Sequence, residues 1–153
     1  MTQFVGTHFG KLDGKGRISV PAEFRAELEA AGTNQLVFRT SHQNPCIEAR
    51  TRPVFQHMLE SILALEHFSE DREALEAGIV ADSRILRLDA DGRLVMPRDL
   101  SDSVELREEI AFLGKGDRFE IWNAEAARAH VTEAKRRVLE KRLTLAATPR
   151  PVA

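Results

Sequence analysis

Arg17 and Arg93 stand at matching points of two nearly repeated segments, and their chemistry is the most pointed feature of this 153-residue chain. The segments are Leu12-Asp13-Gly14-Lys15-Gly16-Arg17-Ile18-Ser19-Val20-Pro21 and Leu88-Asp89-Ala90-Asp91-Gly92-Arg93-Leu94-Val95-Met96-Pro97. An arginine fork donates twice to a planar acceptor, whether a phosphate or the O6 and N7 edge of guanine. Lys15 adds a point charge of the kind that attracts phosphate. Gly16 and Gly92 let the backbone come close to whatever is bound. Asp13 and Asp89 precede each arginine by four residues and read as organisers of the turn. On the residues alone a second reading stands beside the first, in which each arginine pairs with its own aspartate across the turn.

The elements that would carry these side chains also occur twice. Five of the ten aligned positions are identical and two more exchange one apolar residue for another, at an offset of 76. The Asp-to-Gly stretches, Asp13 to Gly16 and Asp89 to Gly92, are hairpin turns, because glycine accepts the positive φ that tight turns need. After the first turn Ile18 and Val20 alternate with Arg17 and Ser19, which points the apolar pair inward and the polar pair outward. Pro21 and Pro97 suit the first position of a helix. Phe24 and Leu28 share one face of the helix that follows, and Gly32 ends it. Downstream, Leu36-Val37-Phe38 is answered by Ile110-Ala111-Phe112, and Ile47-Glu48 by Phe119-Glu120. Each copy therefore reads strand, turn, strand, helix, strand, loop, strand.

Two amphipathic segments flank the copies. Phe55, Met58, Leu59, Ile62 and Leu65 recur at helical spacing after Pro53, and Ala127, Val131, Ala134 and Val138 do so between Glu125 and Leu143, each predicting a core-facing stripe. Thr148-Pro149-Arg150-Pro151 reads as a loose tail. The expected organisation is an α+β chain with a first module at 7–52, a helical connector at 53–82, a second module at 83–126, and a terminal helix and tail at 127–153.

Composition narrows the function classes. No apolar run approaches the roughly 20 residues of a membrane span, and Met1-Thr2-Gln3-Phe4 lacks the pattern of a signal peptide, so the expected address is cytoplasmic. Cys46 is the single cysteine, which excludes an intrachain disulfide framework and a multi-thiolate metal site. Net charge is −2, so affinity for nucleic acid would depend on how charge is distributed. Six acids crowd positions 60–76 against Arg72 alone, whereas Lys11, Lys15, Arg17 and Arg25 gather near the start and Arg128, Lys135, Arg136, Arg137, Lys141 and Arg142 near the end. The five histidines, His8, His42, His57, His67 and His130, form no metal-ligand or catalytic motif. The expectation is a protein with no catalytic residues, metal, cofactor or small-molecule substrate.

The segment from Leu12 to Pro21 resembles the signature of the SpoVT/AbrB-type swapped-hairpin DNA-binding domain. The duplicated form, together with Gly116-Asp117-Arg118-Phe119-Glu120-Ile121-Trp122 closing the second copy, resembles the MraZ family over nearly the whole chain. That resemblance implies two half-modules joined as a pseudo-twofold swapped-hairpin β-barrel with flanking helices. It implies a nucleoid-associated regulator, usually a repressor of the division and cell-wall gene cluster containing its own gene, which binds repeated G-rich promoter boxes as a ring-shaped homo-oligomer. Carried over by position, the DNA-binding residues are Lys15, Gly16 and Arg17, with Gly92 and Arg93, while Asp13 and Asp89 organise the turns. The chain departs from the pattern in two places. Asp91 replaces the cation that Lys15 supplies in copy one, which predicts that copy one dominates the contacts. Ala49-Arg50 replaces an apolar-aromatic pair and bears on local packing. The competing class is an AbrB-like antitoxin or an interaction scaffold, but such antitoxins usually join one copy to a partner-wrapping tail, whereas here the second half repeats the first.

Overall fold

The computed structural model describes residues 2–145, so the proline-containing tail expected at 148–151 lies outside the described residues. The first copy runs β1 (Thr7–Lys11), β2 (Arg17–Ser19), α1 (Ala22–Ala30), β3 (Gln35–Thr40) and β4 (Ile47–Arg50). The second repeats this order as β5 (Arg84–Arg87), β6 (Arg93–Val95), α4 (Arg98–Ser103), β7 (Glu109–Gly114) and β8 (Phe119–Asn123). Between them lie α2 (Arg52–Leu63), the short α3 (Glu70–Leu75) and a π-helical turn at Glu76–Val80, and α5 (Ala124–Glu140) follows the second copy.

Strand pairing interleaves the copies. The main sheet is antiparallel with the order β1-β7-β8-β4-β3-β5, so each copy's first strand pairs with the third strand of the other. β2 and β6 form a separate two-stranded ribbon. The central register places Glu48 opposite Glu120, and the ribbon places Ile18 opposite Leu94. Both are pairs of repeat-equivalent residues, so a pseudo-twofold axis runs through both. The sheet is open, with β1 and β5 at its edges, rather than closed as the expected barrel. β2 and β6 pair with each other and not with β1 or β5, which leaves the edges of the six-stranded ladder without further partners.

Alternation builds the core as the chain dictates. Ile18, Val20, Leu94 and Met96 are buried, while Arg17, Ser19, Arg93 and Val95 face solvent. Phe4, Phe24 and Phe119 meet beneath the sheet with centroids 5.0 to 5.3 Å apart. Each such ring stabilises by about 1.5–3 kcal/mol through burial, and each pair adds about 0.5–1.5 kcal/mol. Pro21 and Pro97 sit one position earlier than expected, as the capping residues before α1 and α4, where their extended ψ of 142° and 134° turns the chain into the helix. Gly32, at φ +71°, ends α1, with the Thr33 N–H donating to Leu28 O and the Gly32 N–H to Glu29 O.

The helical stripes are only partly covered. In α2 Ile62 alone is buried, and in α5 Ala124 and Ala127 are buried while Val131 packs at the margin and Val138 stays 49% exposed. The expected core stripe of α5 runs out after its second turn, where contact with the sheet ends.

Where α5 does meet the sheet, His130 stacks on Trp122 at 4.4 Å, and Lys115 Nζ lies 3.3 Å from its Nε2. Burial first, and then the Lys115 charge, lower the His130 pKa below 6.5. The folded state thus prefers neutral His130, and the unfolded chain takes up the proton first as pH falls through 6.5, so this group costs stability on the acid side. Trp122 is the only tryptophan and tyrosine is absent. Its fluorescence is therefore expected to titrate with a midpoint below 6.5, and the titration is expected to vanish in His130→Gln.

A candidate nucleic-acid interface on the hairpin ribbon

Each turn is held by its aspartate. Asp13 Oδ1 accepts from the Lys15 and Arg17 N–H groups, both at 2.9 Å, and Asp89 Oδ1 accepts from the Asp91 and Arg93 N–H groups at the same distance. The Gly16 N–H closes the first turn on Asp13 O and the Gly92 N–H the second on Asp89 O, both at 3.0 Å. Donation from the Arg17 backbone, and then from its guanidinium, holds the Asp13 carboxyl below its ordinary pKa, and the Arg93 backbone does the same for Asp89. Both carboxylates are thus ionised at neutral pH.

The turns lock across the pseudo-twofold axis. The Met96 N–H donates to Gly16 O at 2.7 Å, and the Val20 N–H to Gly92 O at 3.0 Å. Gly16 has φ +80°, and a Cβ there would lie 3.1 Å from the backbone oxygen of Met96. Gly16→Ala is expected to cost about 1–2 kcal/mol from the left-handed conformation alone, read as a lower denaturation midpoint with an unchanged slope.

The ribbon and the end of the adjoining strand β5 gather three guanidinium groups. Arg17 lies opposite Val95 and Arg93 opposite Ser19, with both arginine side chains about half exposed, at 47% and 48%. Arg17, Arg93 and Arg87 line one shallow depression of about 330 Å³. Lys15 does not line it, but projects from the exposed tip of the first turn. Arg87 was not singled out from the sequence, although it matches Lys11 one position before each Leu-Asp pair and could have been found by carrying the 76-residue offset further upstream.

Arg17 and Arg93 are held differently. Arg17 gives its Nε to Asp13 Oδ2 at 2.6 Å, and among the described residues its two terminal nitrogens have no protein acceptor. The aspartate pairing and an outward-facing fork therefore coexist: the carboxylate holds the near edge of the guanidinium and leaves the far edge free. Arg93 gives a terminal nitrogen to Asp91 Oδ2 at 3.1 Å, and its Nε lies 3.7 Å from Asp89.

The second turn carries a further constraint. Arg25 of α1 lies across it, donating from Nη1 to Asp91 O at 2.8 Å and packing against Gly92. The matching position in α4 is Ser101, whose hydroxyl instead turns back to Arg98 O. The first turn is thus open and cationic, and the second is braced and carries a carboxylate. Sequence had placed Arg25 only in a basic cluster; nothing in the sequence pairs it with a turn 66 residues away.

Behind the ribbon the same axis crosses a buried charge network. Glu48 accepts from Arg39 Nη1 at 2.7 Å and Arg50 Nη1 at 2.6 Å. Its neighbour Glu120 accepts from Trp122 Nε1 at 3.0 Å and pairs with Lys115 at 3.0 Å. Cys46 is buried nearby, and burial, with Glu120 and Glu48, pushes its thiol pKa up, so it remains a thiol. Among the described residues no three His, Cys, Asp or Glu side chains gather to hold a metal, and no helix is long and apolar enough to cross a membrane.

The fold and ribbon define a class: a duplicated α+β module in which the copies exchange edge strands and jointly display arginines on a two-stranded ribbon. The family model described as "MraZ protein, putative antitoxin-like" matches residues 3–77 and 80–145, one match for each copy. The chain is 38% identical over 156 residues to the transcriptional regulator MraZ of Gluconobacter oxydans (strain 621H), covering 100% of this chain and 93% of that protein. It is 39% identical over 140 residues to that of Parvibaculum lavamentivorans, covering 90% and 86%, and 35% identical over 134 residues to that of Rickettsia bellii (strain OSU 85-389), covering 88% and 89%. The chain belongs to the MraZ family.

Proposed function

We propose that this protein is a sequence-specific DNA-binding transcriptional regulator that represses its own division and cell-wall gene cluster by occupying repeated promoter boxes as a ring-shaped homo-oligomer. It acts in the cytoplasm, associated with the nucleoid, and by binding rather than catalysis. The interleaving of the copies supports a swapped-hairpin arrangement, and in this reading the ribbon is the reading head.

The observation that carries this reading is the Arg17 fork, fixed at one edge by Asp13 and open at the other. A guanidinium held in this way loses little freedom when it donates twice to guanine O6 and N7. Lys15 and Arg87 supply phosphate attraction, while Arg93 assists. Because Asp91 repels phosphate and occupies Arg93, the first turn dominates the contact. One chain offers few cations, so binding at physiological salt depends on linking copies, which raises avidity by about 10² to 10⁴ without improving any single contact. Copies related by rotation suit direct repeats. The acidic 60–76 segment stays clear of the duplex. The antitoxin likeness in the family description weighs less, because the second half here is folded strand for strand into the first.

Footprinting on the DNA upstream of the gene tests the reading: regularly spaced protected boxes are expected, and uniform or absent protection contradicts it. Asp91→Lys is expected to tighten binding and to steepen the salt dependence, with each new phosphate contact adding about 0.9 to the slope of log K against log salt.

A further inference from the structure

Two of the exposed apolar patches on the described surface lie in segments of opposite charge. The first is the elbow between α2 and α3, where Leu63, Leu65 and Phe68 are 45%, 38% and 92% exposed. Glu60, Glu66, Glu70, Asp71 and Glu73 lie close to it along the chain, with Arg72 among them. The second is the end of α5, where Leu139, Leu143 and Leu145 are 78%, 58% and 95% exposed in a stretch that holds Lys135, Arg137, Lys141 and Arg142, with Glu133 and Glu140 paired to Arg136.

The α5 end is built, not frayed. Arg142 adopts a left-handed φ of +48°, the Leu143 N–H donates to Val138 O, and the Arg142 N–H donates to Leu139 O. This is the closure that glycine usually provides, and a non-glycine residue adopts it at a cost. The turn places Leu143 next to Val138, yet both remain about half exposed. Exposed apolar clusters of this kind mark contact sites.

We propose that the basic-apolar end of α5 in one copy docks on the acidic-apolar α2–α3 elbow of the next. Charge complementarity selects the occupant, because the partner surface for each patch is present on the same chain. Topology sets the direction. α2 continues from β4 and α5 from β8, and these central strands are antiparallel, so the two helices leave opposite ends of the sheet. The contact is therefore head to tail, a geometry that closes into rings when the rotation per copy divides the circle. The inference rests on the assembly proposed above and assigns its surfaces.

The test is the solution mass of the full-length chain by sedimentation, with circular dichroism as a check on folding. Wild type is expected to be oligomeric. Phe68→Asp and Leu139→Ser/Leu143→Ser are each expected to weaken self-association by about 30-fold or more, as loss of an interface anchor does. An equimolar mixture of the two variants keeps one intact elbow and one intact helix end, so it is expected to form a heterodimer and stop there. A monomeric wild type would sink the assembly itself. An oligomeric wild type whose variants keep its mass, or variants that do not pair on mixing, would sink this interface and leave the DNA reading standing.

Discussion

Arg17→Ala is expected to remove discrimination between promoter and scrambled DNA while leaving the turn and the subunit assembly in place. The Asp13 carboxylate accepts from the Lys15 and Arg17 backbone N–H groups, which alanine retains, so the turn persists without the side chain. What disappears is the double donation to guanine, worth about 1–3 kcal/mol of discrimination, or roughly 5- to 150-fold, per contact. Copies bound together multiply that loss, so a reduction of about 10²-fold or more in affinity for the repeated boxes is expected. Arg17→Lys separates charge from geometry: residual, salt-sensitive binding to any DNA is expected to survive and sequence preference to fall, because an ammonium lacks the planar fork. Anisotropy titrations on both DNAs measure this, and an Arg17→Ala protein that binds promoter DNA as tightly as wild type would remove the reading role from this residue.

The second large effect belongs to stability. Glu48 is buried and accepts from Arg39, itself buried, so Glu48→Ala leaves a guanidinium without a counter-charge in the interior. Breaking a buried pair from one side costs about 3–5 kcal/mol, which for a chain of this size lowers Tm by roughly 6–20 °C. Arg39→Met combined with Glu48→Met removes both charges and is expected to recover much of that loss. Burial pushes the Glu48 carboxyl pKa up, but the hydrogen bond and charge of Arg50, with the charge of Arg39, outweigh it, and the pKa lies below 4.5. Its contribution is therefore fully present above 4.5 and lost as pH falls through the folded value. Glu48→Gln is expected to flatten that acid dependence. Calorimetric scans across pH measure both effects, and a Tm unchanged in Glu48→Ala would contradict the network's role.

The duplication was legible because it lies in local chemistry. Asp-Gly turns, alternation at Ile18 and Val20, and the paired prolines all act within a few residues, and each emerges as a turn, a buried strand face or a helix start. The pairing of β1 with β7 was not legible in the residues themselves, although the family resemblance implied an exchange between copies, since nothing in Thr7–Lys11 distinguishes a partner in its own copy from one about a hundred residues away. The helical stripes misled for a related reason. Spacing shows that Val131, Ala134 and Val138 share a face of α5, but how far the sheet extends beneath them depends on long-range pairing. At the site, the residues leave aspartate pairing and a ligand-facing arginine as alternatives; the structure shows Arg17 paired to Asp13 through Nε, while its terminal nitrogens have no protein acceptor among the described residues, because one guanidinium has two edges. Arg25 lying on Gly92 depends on the approach of α1 to the opposite turn and leaves no local signal.

The central claim, that this ribbon reads DNA sequence, is tested most directly by fluorescence anisotropy of the purified protein on DNA from upstream of its own gene and on a scrambled control, at salt from about 50 to 200 mM, where phosphate contacts weaken. Preference for the upstream DNA at every salt concentration, on top of a steep salt dependence shared by both duplexes, is the predicted result. Equal binding to the two duplexes, or binding to neither, would contradict it.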